Sequence, residues 1–235
     1  MARLAHLIAA IVTSALLVVP ALAADAHGGH GGTWQHALTL ELGRDDSGAF
    51  ILEGDGWYGG DQSRLWVRAD AAHDGDTAEG SLELYYGENV AEFWDVLAGL
   101  RVDDGDTGHV NFAAISLVGL APQFIETELS LYLSEDGDVS LRYAPSFEIP
   151  VTQRLIAELE GEADLFFNDA PERLIGAGLS SAELALSLRY QLTRRIAPMV
   201  KFTQEWSFGE TSGLRRAAGE DTSSESLMLG LYLRL

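Results

Sequence analysis

From Trp34 onward, apolar side chains recur at every second position, not at the 3.6-residue spacing of a helix. The last ten residues show this most plainly. Leu227, Leu229, Leu231, Leu233 and Leu235 share one face, while Met228, Gly230, Tyr232 and Arg234 share the other. The same alternation sets Leu184, Leu186, Leu188, Tyr190 and Leu192 against Glu183, Ala185, Ser187, Arg189 and Gln191. It also sets Leu155, Ala157, Leu159, Ala163 and Leu165 against Glu158, Glu160, Glu162 and Asp164, and Ile125, Thr127, Leu129, Leu131 and Leu133 against Glu126, Glu128 and Ser130. The pattern predicts about twelve strands, near 34–42, 49–57, 63–72, 79–88, 93–102, 109–119, 123–133, 138–149, 153–166, 181–192, 197–208 and 225–235. Segments of about ten residues suit tilted strands that cross a bilayer.

The connections alternate in character. Gly43–Gly48, Ala72–Thr77, Asp103–Gly108, Ser134–Asp138, Asn168–Ser180 and Gly209–Ser224 are polar and often long, whereas Gly87–Glu92, Gly119–Pro122, Pro150–Thr152 and Thr193–Ala197 are tight. Long loops at one end and short turns at the other predict an all-β fold, an antiparallel transmembrane β-barrel of about twelve strands with both termini in the periplasm. Trp57, Tyr58, Tyr85, Tyr86, Phe93, Trp94, Phe124, Phe147, Tyr190 and Tyr232 lie beside the tight turns, where an aromatic girdle would stand. A soluble barrel would alternate equally well, with its apolar face inward.

The start of the chain adds a compartment. Arg3 and His6 precede an apolar run from Leu7 to Val19, then Pro20 and Ala21-Leu22-Ala23. This is the layout of a signal peptide over 1–23, with cleavage expected after Ala23 and Ala24 or Ala26 as alternatives. The apolar run is short for a spanning helix. Residues 24–33 then form a short His/Gly-rich periplasmic tail before a barrel over 34–235. The chain has 235 residues, 36 acids against 15 Lys+Arg, a net charge of -21 and no cysteine. That balance leaves no basic surface for nucleic acid. The absence of cysteine excludes disulfides and thiolate chemistry.

Several stretches resemble one family. They are Leu65-Trp66-Val67-Arg68-Ala69-Asp70, Asn89-Val90-Ala91-Glu92-Phe93-Trp94-Asp95-Val96, Gly119-Leu120-Ala121-Pro122, and Leu131-Tyr132-Leu133-Ser134-Glu135-Asp136-Gly137-Asp138-Val139. Thr152-Gln153-Arg154-Leu155, Pro171-Glu172-Arg173 with Gly176-Ala177-Gly178-Leu179-Ser180, Phe208-Gly209 and Ala218-Gly219-Glu220-Asp221 complete the set. In order and spacing, over about 57–235, they resemble the copper resistance protein B family of outer-membrane proteins. The resemblance implies a non-enzymatic role in copper resistance at the outer membrane of a Gram-negative bacterium, with a periplasmic multicopper oxidase as companion. Family members often carry a long Met- and His-rich front segment. Here the tail is short and holds no Met.

Metal chemistry has two candidate places. The tail offers His27 and His30 within His-Gly-Gly-His-Gly-Gly, with His36 six residues on. Imidazole suits copper and zinc ions. If cleavage follows Ala24, the new terminus Asp25-Ala26-His27 presents an amine, two amides and a third-position imidazole, a square-planar set for Cu(II). The plainer account is a flexible leader. The second place is the lumen. If the leucines face lipid, then Glu126, Glu128, Glu158, Glu160, Glu162, Asp164 and Glu183 face inward, together with Arg64, Arg68, Arg101, Arg142, Arg189, Lys201 and Arg234. The plainer account here is a lumen stapled by salt bridges, and the sharper one is a pathway that attracts cations. Asp103-Asp104-Gly105-Asp106 and Glu135-Asp136-Gly137-Asp138 lack EF-hand spacing and read as solvated turns. His73 beside Asp74 and His109 beside Asn111 have no serine elbow with them, so a hydrolase is disfavoured. Three functions fit the sequence: copper binding or transport, a generic outer-membrane pore or structural barrel, and a soluble periplasmic metal-binding barrel.

Overall fold

The computed structural model describes residues 34–75, 77–105 and 108–235. The predicted signal peptide and the tail residues His27 and His30 lie outside the described residues. The described residues form twelve strands: β1 (Gln35–Arg44), β2 (Phe50–Gly59), β3 (Ser63–His73), β4 (Ala78–Ala91), β5 (Trp94–Gly105), β6 (Gly108–Ala121), β7 (Ile125–Ser134), β8 (Val139–Pro150), β9 (Leu155–Phe166), β10 (Gly178–Tyr190), β11 (Ile196–Ser207) and β12 (Ser223–Arg234). Each pairs antiparallel with its neighbours in sequence, and β1 pairs with β12 to close the barrel. At the seam, Leu40 stands opposite Leu233 and Leu42 opposite Leu231. Two further bonds extend it, Leu38 N–H to the Leu235 carbonyl at 3.1 Å and Leu235 N–H to the Leu38 carbonyl at 2.8 Å. Closure leaves no open sheet edge, which a lipid environment requires.

The two faces of the wall are inverted relative to a soluble barrel. Leu229 and Leu100 are each 66% exposed on the outside, and Leu84, Ile115, Leu184, Leu186 and Leu131 are exposed with them. Inside, Ser116, Ser130, Ser187, Arg189, Lys201 and Glu83 are buried. A soluble barrel would not show water a continuous leucine belt while burying its charges.

Some outward positions carry no apolar side chain of their own. Gly54 and Gly56 of β2 lie opposite Leu40 and Leu38, and a Cβ on either glycine would come within about 3 Å of the leucine opposite it. The leucines of β1 therefore lie across β2, and the small residues make that close approach possible.

Three differences from the sequence reading have local causes. Asp103–Gly108 is not mostly loop: β5 runs on to Gly105 and β6 resumes at Gly108, with the Asp103 carboxylate anchored by Arg101 at 2.6 and 3.0 Å. The long connection after β11 holds a helix, α1 (Gly209–Ala218). It ends on Gly219 in a left-handed conformation (φ 84°) whose N–H reaches the Arg215 and Arg216 carbonyls. The aromatic group also divides. Tyr86, Phe93, Phe124 and Tyr190 are exposed on the outside, but Trp57, Tyr85 and Tyr232 turn inward. Trp57 lies under Arg64 and against Trp66, Tyr85 is in the interior cluster, and Tyr232 lies under Arg189. In the β1–β2 turn, the Asp45 carboxylate accepts from the Ser47 hydroxyl at 2.6 Å and the Ala49 amide at 2.8 Å, and the Ser47 bond foremost holds its pKa below the ordinary aspartate value.

Candidate functional site

The inward faces of β3 to β8 build a packed, charged wall. Tyr85, Leu97, Phe112, Ala114 and Tyr132 form a buried cluster, with Trp66, Val110 and Val118 against it. Phe112 and Tyr132 meet edge to face, with ring centroids 6.2 Å apart. Glu83, 5% exposed at its side chain, is the hub. It accepts from the Tyr85 and Tyr132 hydroxyls at 2.8 and 3.2 Å and pairs with Arg101 at 3.3 Å and Arg68 at 3.5 Å. Arg68 continues to Glu128 at 2.5 Å, and Arg142 binds Asp164 at 2.9 Å and Glu162 at 3.1 Å. The Arg101 guanidinium also lies 4.9 Å from the centre of the Tyr132 ring.

The opposite wall has the reverse arrangement, one cation among several acids. Lys201 on β11 places Nζ 2.6 Å from Glu53, 2.9 Å from Glu160 and 3.3 Å from Glu41. Glu158 is bonded to Arg189 at 2.5 Å, and Arg189 also binds Glu148. Carboxylate oxygens of Glu41, Glu158 and Glu160 all lie within 4.8 Å of one another.

Between the walls lies a cavity of about 940 Å³. Glu41, Glu53, Asp55, Asp70, Glu79, Asp103, Asp104, Glu158, Glu160, Glu162 and Glu183 line it, against Arg68, Arg101, Arg142, Arg173 and Lys201. Its lining reaches the long-loop ends of β3 to β6, through Ala72, Glu79, Gly105 and Gly108. It does not include Trp57, Arg64, Trp66, Leu97, Arg189 or Tyr232, which fill the tight-turn half of the barrel. Arg173, in the β9–β10 connection, dips in from the mouth and binds Asp138 at 2.6 Å. That connection is held in turn by α1, whose buried Thr211 hydroxyl bonds the Gly176 amide at 2.9 Å and contacts the Ser180 hydroxyl at 3.0 Å.

Of the predicted site residues, Glu128, Glu158, Glu160 and Glu162 are inside and each meets a cation. Glu183 lines the cavity without an ion pair among the described residues. Glu126 follows the inward register of β7, is exposed, and likewise makes no ion pair among the described residues. His36 stands apart from all of these. It lies near the start of β1, exposed, opposite Tyr58 and in register with the outward leucines. His73 bonds the Thr77 carbonyl across a turn at 2.8 Å. The arginines and lysine placed inside by the alternation are the ion-pair partners, apart from Arg234, which is exposed at the strand end. The sequence reading missed Glu41, Glu53, Asp55, Asp70 and Glu83. Leu38-Thr39-Leu40-Glu41-Leu42 carried the signal for the first of these.

The comparisons with known proteins agree with this geometry. Residues 36–234 match the family described as Copper resistance protein B precursor (CopB). A copper resistance protein B homolog of Pseudomonas syringae pv. tomato (strain ATCC BAA-871 / DC3000) is 32% identical over 201 residues, which cover 85% of this chain and 66% of that protein. Copper resistance protein B of Escherichia coli is 30% identical over 177 residues, covering 75% of this chain and 60% of that one. The chain thus spans about three fifths to two thirds of the length of these relatives. Among solved structures, the NanC porin superposes with a TM-score of 0.56 at 16% identity, covering 84% of this chain and all of that one, which supports the outer-membrane barrel fold. With its family match running through nearly the whole barrel, the chain belongs to the copper resistance protein B family.

Proposed function

We propose that this protein is a non-enzymatic outer-membrane barrel of copper resistance, which binds copper ions and moves them across the outer membrane. The observation that carries the reading is the acidic excess lining the lumen of a barrel from this family, eleven acids against five bases among the described residues. Such a surface draws cations in and concentrates them. Carboxylates are hard ligands that steer a cation without selecting copper. Selection then falls to the tail imidazoles of His27 and His30, with His36 where the tail meets the barrel. Residues 1–23 are its signal peptide, both termini lie in the periplasm, and a periplasmic multicopper oxidase is the expected partner. The test is growth on graded copper of the host strain, its deletion mutant and the complemented mutant. Copper sensitivity restored by the gene supports the reading, and a deletion mutant that grows like its parent overturns it.

A second reading has its own observation. Five of the seven predicted lumen acids are already paired with arginine or lysine, as in a structural barrel or generic pore. That reading expects no copper phenotype.

A further inference from the structure

The Lys201 wall combines three features. An ammonium contacts three carboxylates that reach it from three different strands, β1, β2 and β9. A fourth carboxylate, Glu158, has an oxygen within 4.8 Å of oxygens of Glu41 and Glu160. Ser187, 1% exposed, stands in register between Glu158 on β9 and Lys201 on β11. It shares the inward face of β10 with Glu183 and Arg189, and its hydroxyl has no hydrogen-bond partner among the described residues. A buried hydroxyl normally has one. Here it is a spare neutral oxygen at the edge of a carboxylate nest.

We infer that this nest is a hard divalent-cation site, formed by Glu41, Glu53, Glu158, Glu160 and Ser187, and that Lys201 is its tethered, displaceable occupant. An ammonium offers three donors and one charge. A divalent ion of the Mn²⁺ or Ca²⁺ kind takes six or more oxygens and carries two charges, so it uses ligands that Lys201 leaves idle. The lysine stem is long and rotatable, so its head can swing into the cavity, which Lys201 also lines. Glu158 keeps Arg189 as a neighbour on the tight-turn side, where that guanidinium also holds Glu148. A cation entering by the long-loop mouth therefore meets Lys201 before it meets the filled half of the barrel. The inference deepens the lumen part of the proposed function, but it does not depend on copper being the cargo.

The experiment is Mn²⁺ titration of the purified, refolded full chain in detergent, with free Mn²⁺ read by its EPR signal. Heat-modifiable migration on gels certifies that each variant is folded. Lys201→Met is expected to bind one Mn²⁺ about tenfold or more tighter than the parent, because the competing charge is gone. Adding Glu41→Gln and Glu160→Gln to it should abolish that gain. Lys201→Met with Glu53→Gln leaves the net charge of the nest unchanged and relieves the repulsion that Lys201→Met alone creates. It should still bind more tightly than the parent, so the gain is not one of bulk charge. A folded Lys201→Met or Lys201→Met/Glu53→Gln barrel that binds Mn²⁺ no more tightly than the parent overturns the site, as does a gain that survives loss of Glu41 and Glu160. The readout is separate from growth on copper, so either result can fail without the other.

Discussion

Arg68 on β3 donates to Glu128 on β7 at 2.5 Å, joining two strands that three others separate along the wall. Such a chord stiffens the barrel across its lumen, a direction in which the hydrogen-bonded ladder does not act. Arg68→Met should cost about 3–5 kcal/mol, because it strips the cation from Glu128 and leaves Glu83 with Arg101 as its remaining arginine. Replacing both ends, Arg68→Met with Glu128→Leu, should recover most of that loss. Urea unfolding in lipid vesicles, followed by tryptophan fluorescence, measures both. Equal midpoints for the parent and the single variant would remove the chord from the account.

The leucine belt makes a prediction that also separates a membrane barrel from a soluble one. Leu100 and Leu229 sit in mid-strand and face outward. Arginine at either position should cost about 2–4 kcal/mol of folding free energy in vesicles, the expected cost of a charge near the bilayer midplane. In a soluble barrel the same change would be close to neutral. Vesicle refolding yields that are unaffected by Leu100→Arg and Leu229→Arg would count against the membrane placement of this belt.

These two walls also explain what could be read from sequence alone. The alternation in β7, β9, β10 and β12 is clear, because leucine or another apolar residue fills most outward positions along the middle of each strand, so the inward acids announce themselves. β2 defeats the same reasoning. Its outward positions include Gly54 and Gly56, covered by Leu40 and Leu38 of the neighbouring strand, and so Glu53 and Asp55 stand in no visible pattern. Lys201 and Arg68 could be assigned to the lumen, and so could Glu128 and Glu160, but not which acid meets which cation. Pairing across a barrel depends on which strands face each other, and period two carries no such information. Helix α1 was hidden for a different reason. It is short, has glycine at 209 and 213, and depends on Thr211 binding a connection more than thirty residues earlier.

The mouth of the cavity supplies the next expectation. Arg173 binds Asp138, which also accepts from the Asn168 amide at 2.5 Å, and its guanidinium lies 5.8 Å from the Phe112 and Phe166 rings. Arg173→Ala should lose about 1.5–3 kcal/mol, the worth of a hydrogen bond to a charged partner. It should also free the β9–β10 connection. In planar bilayers the variant should conduct more than the parent, and limited proteolysis should cut within 167–177 sooner. Unchanged conductance together with unchanged proteolysis would mean that Arg173 does not hold this connection in place.

The sharpest division between a staple and a pathway lies on β9. Neutralising Glu158, Glu160 and Glu162 together removes three charges from the cavity wall, yet each cation they touch keeps another partner. Arg189 retains Glu148, Lys201 retains Glu41 and Glu53, and Arg142 retains Asp164. The triple glutamine variant should therefore fold, with a urea midpoint near that of the parent. Its entry of divalent cations into reconstituted vesicles should fall by about tenfold at low salt, and less at high salt, because the lost term is electrostatic focusing. A collapse in stability with cation entry unchanged would assign these carboxylates to holding the barrel together, and would move any cation pathway away from β9.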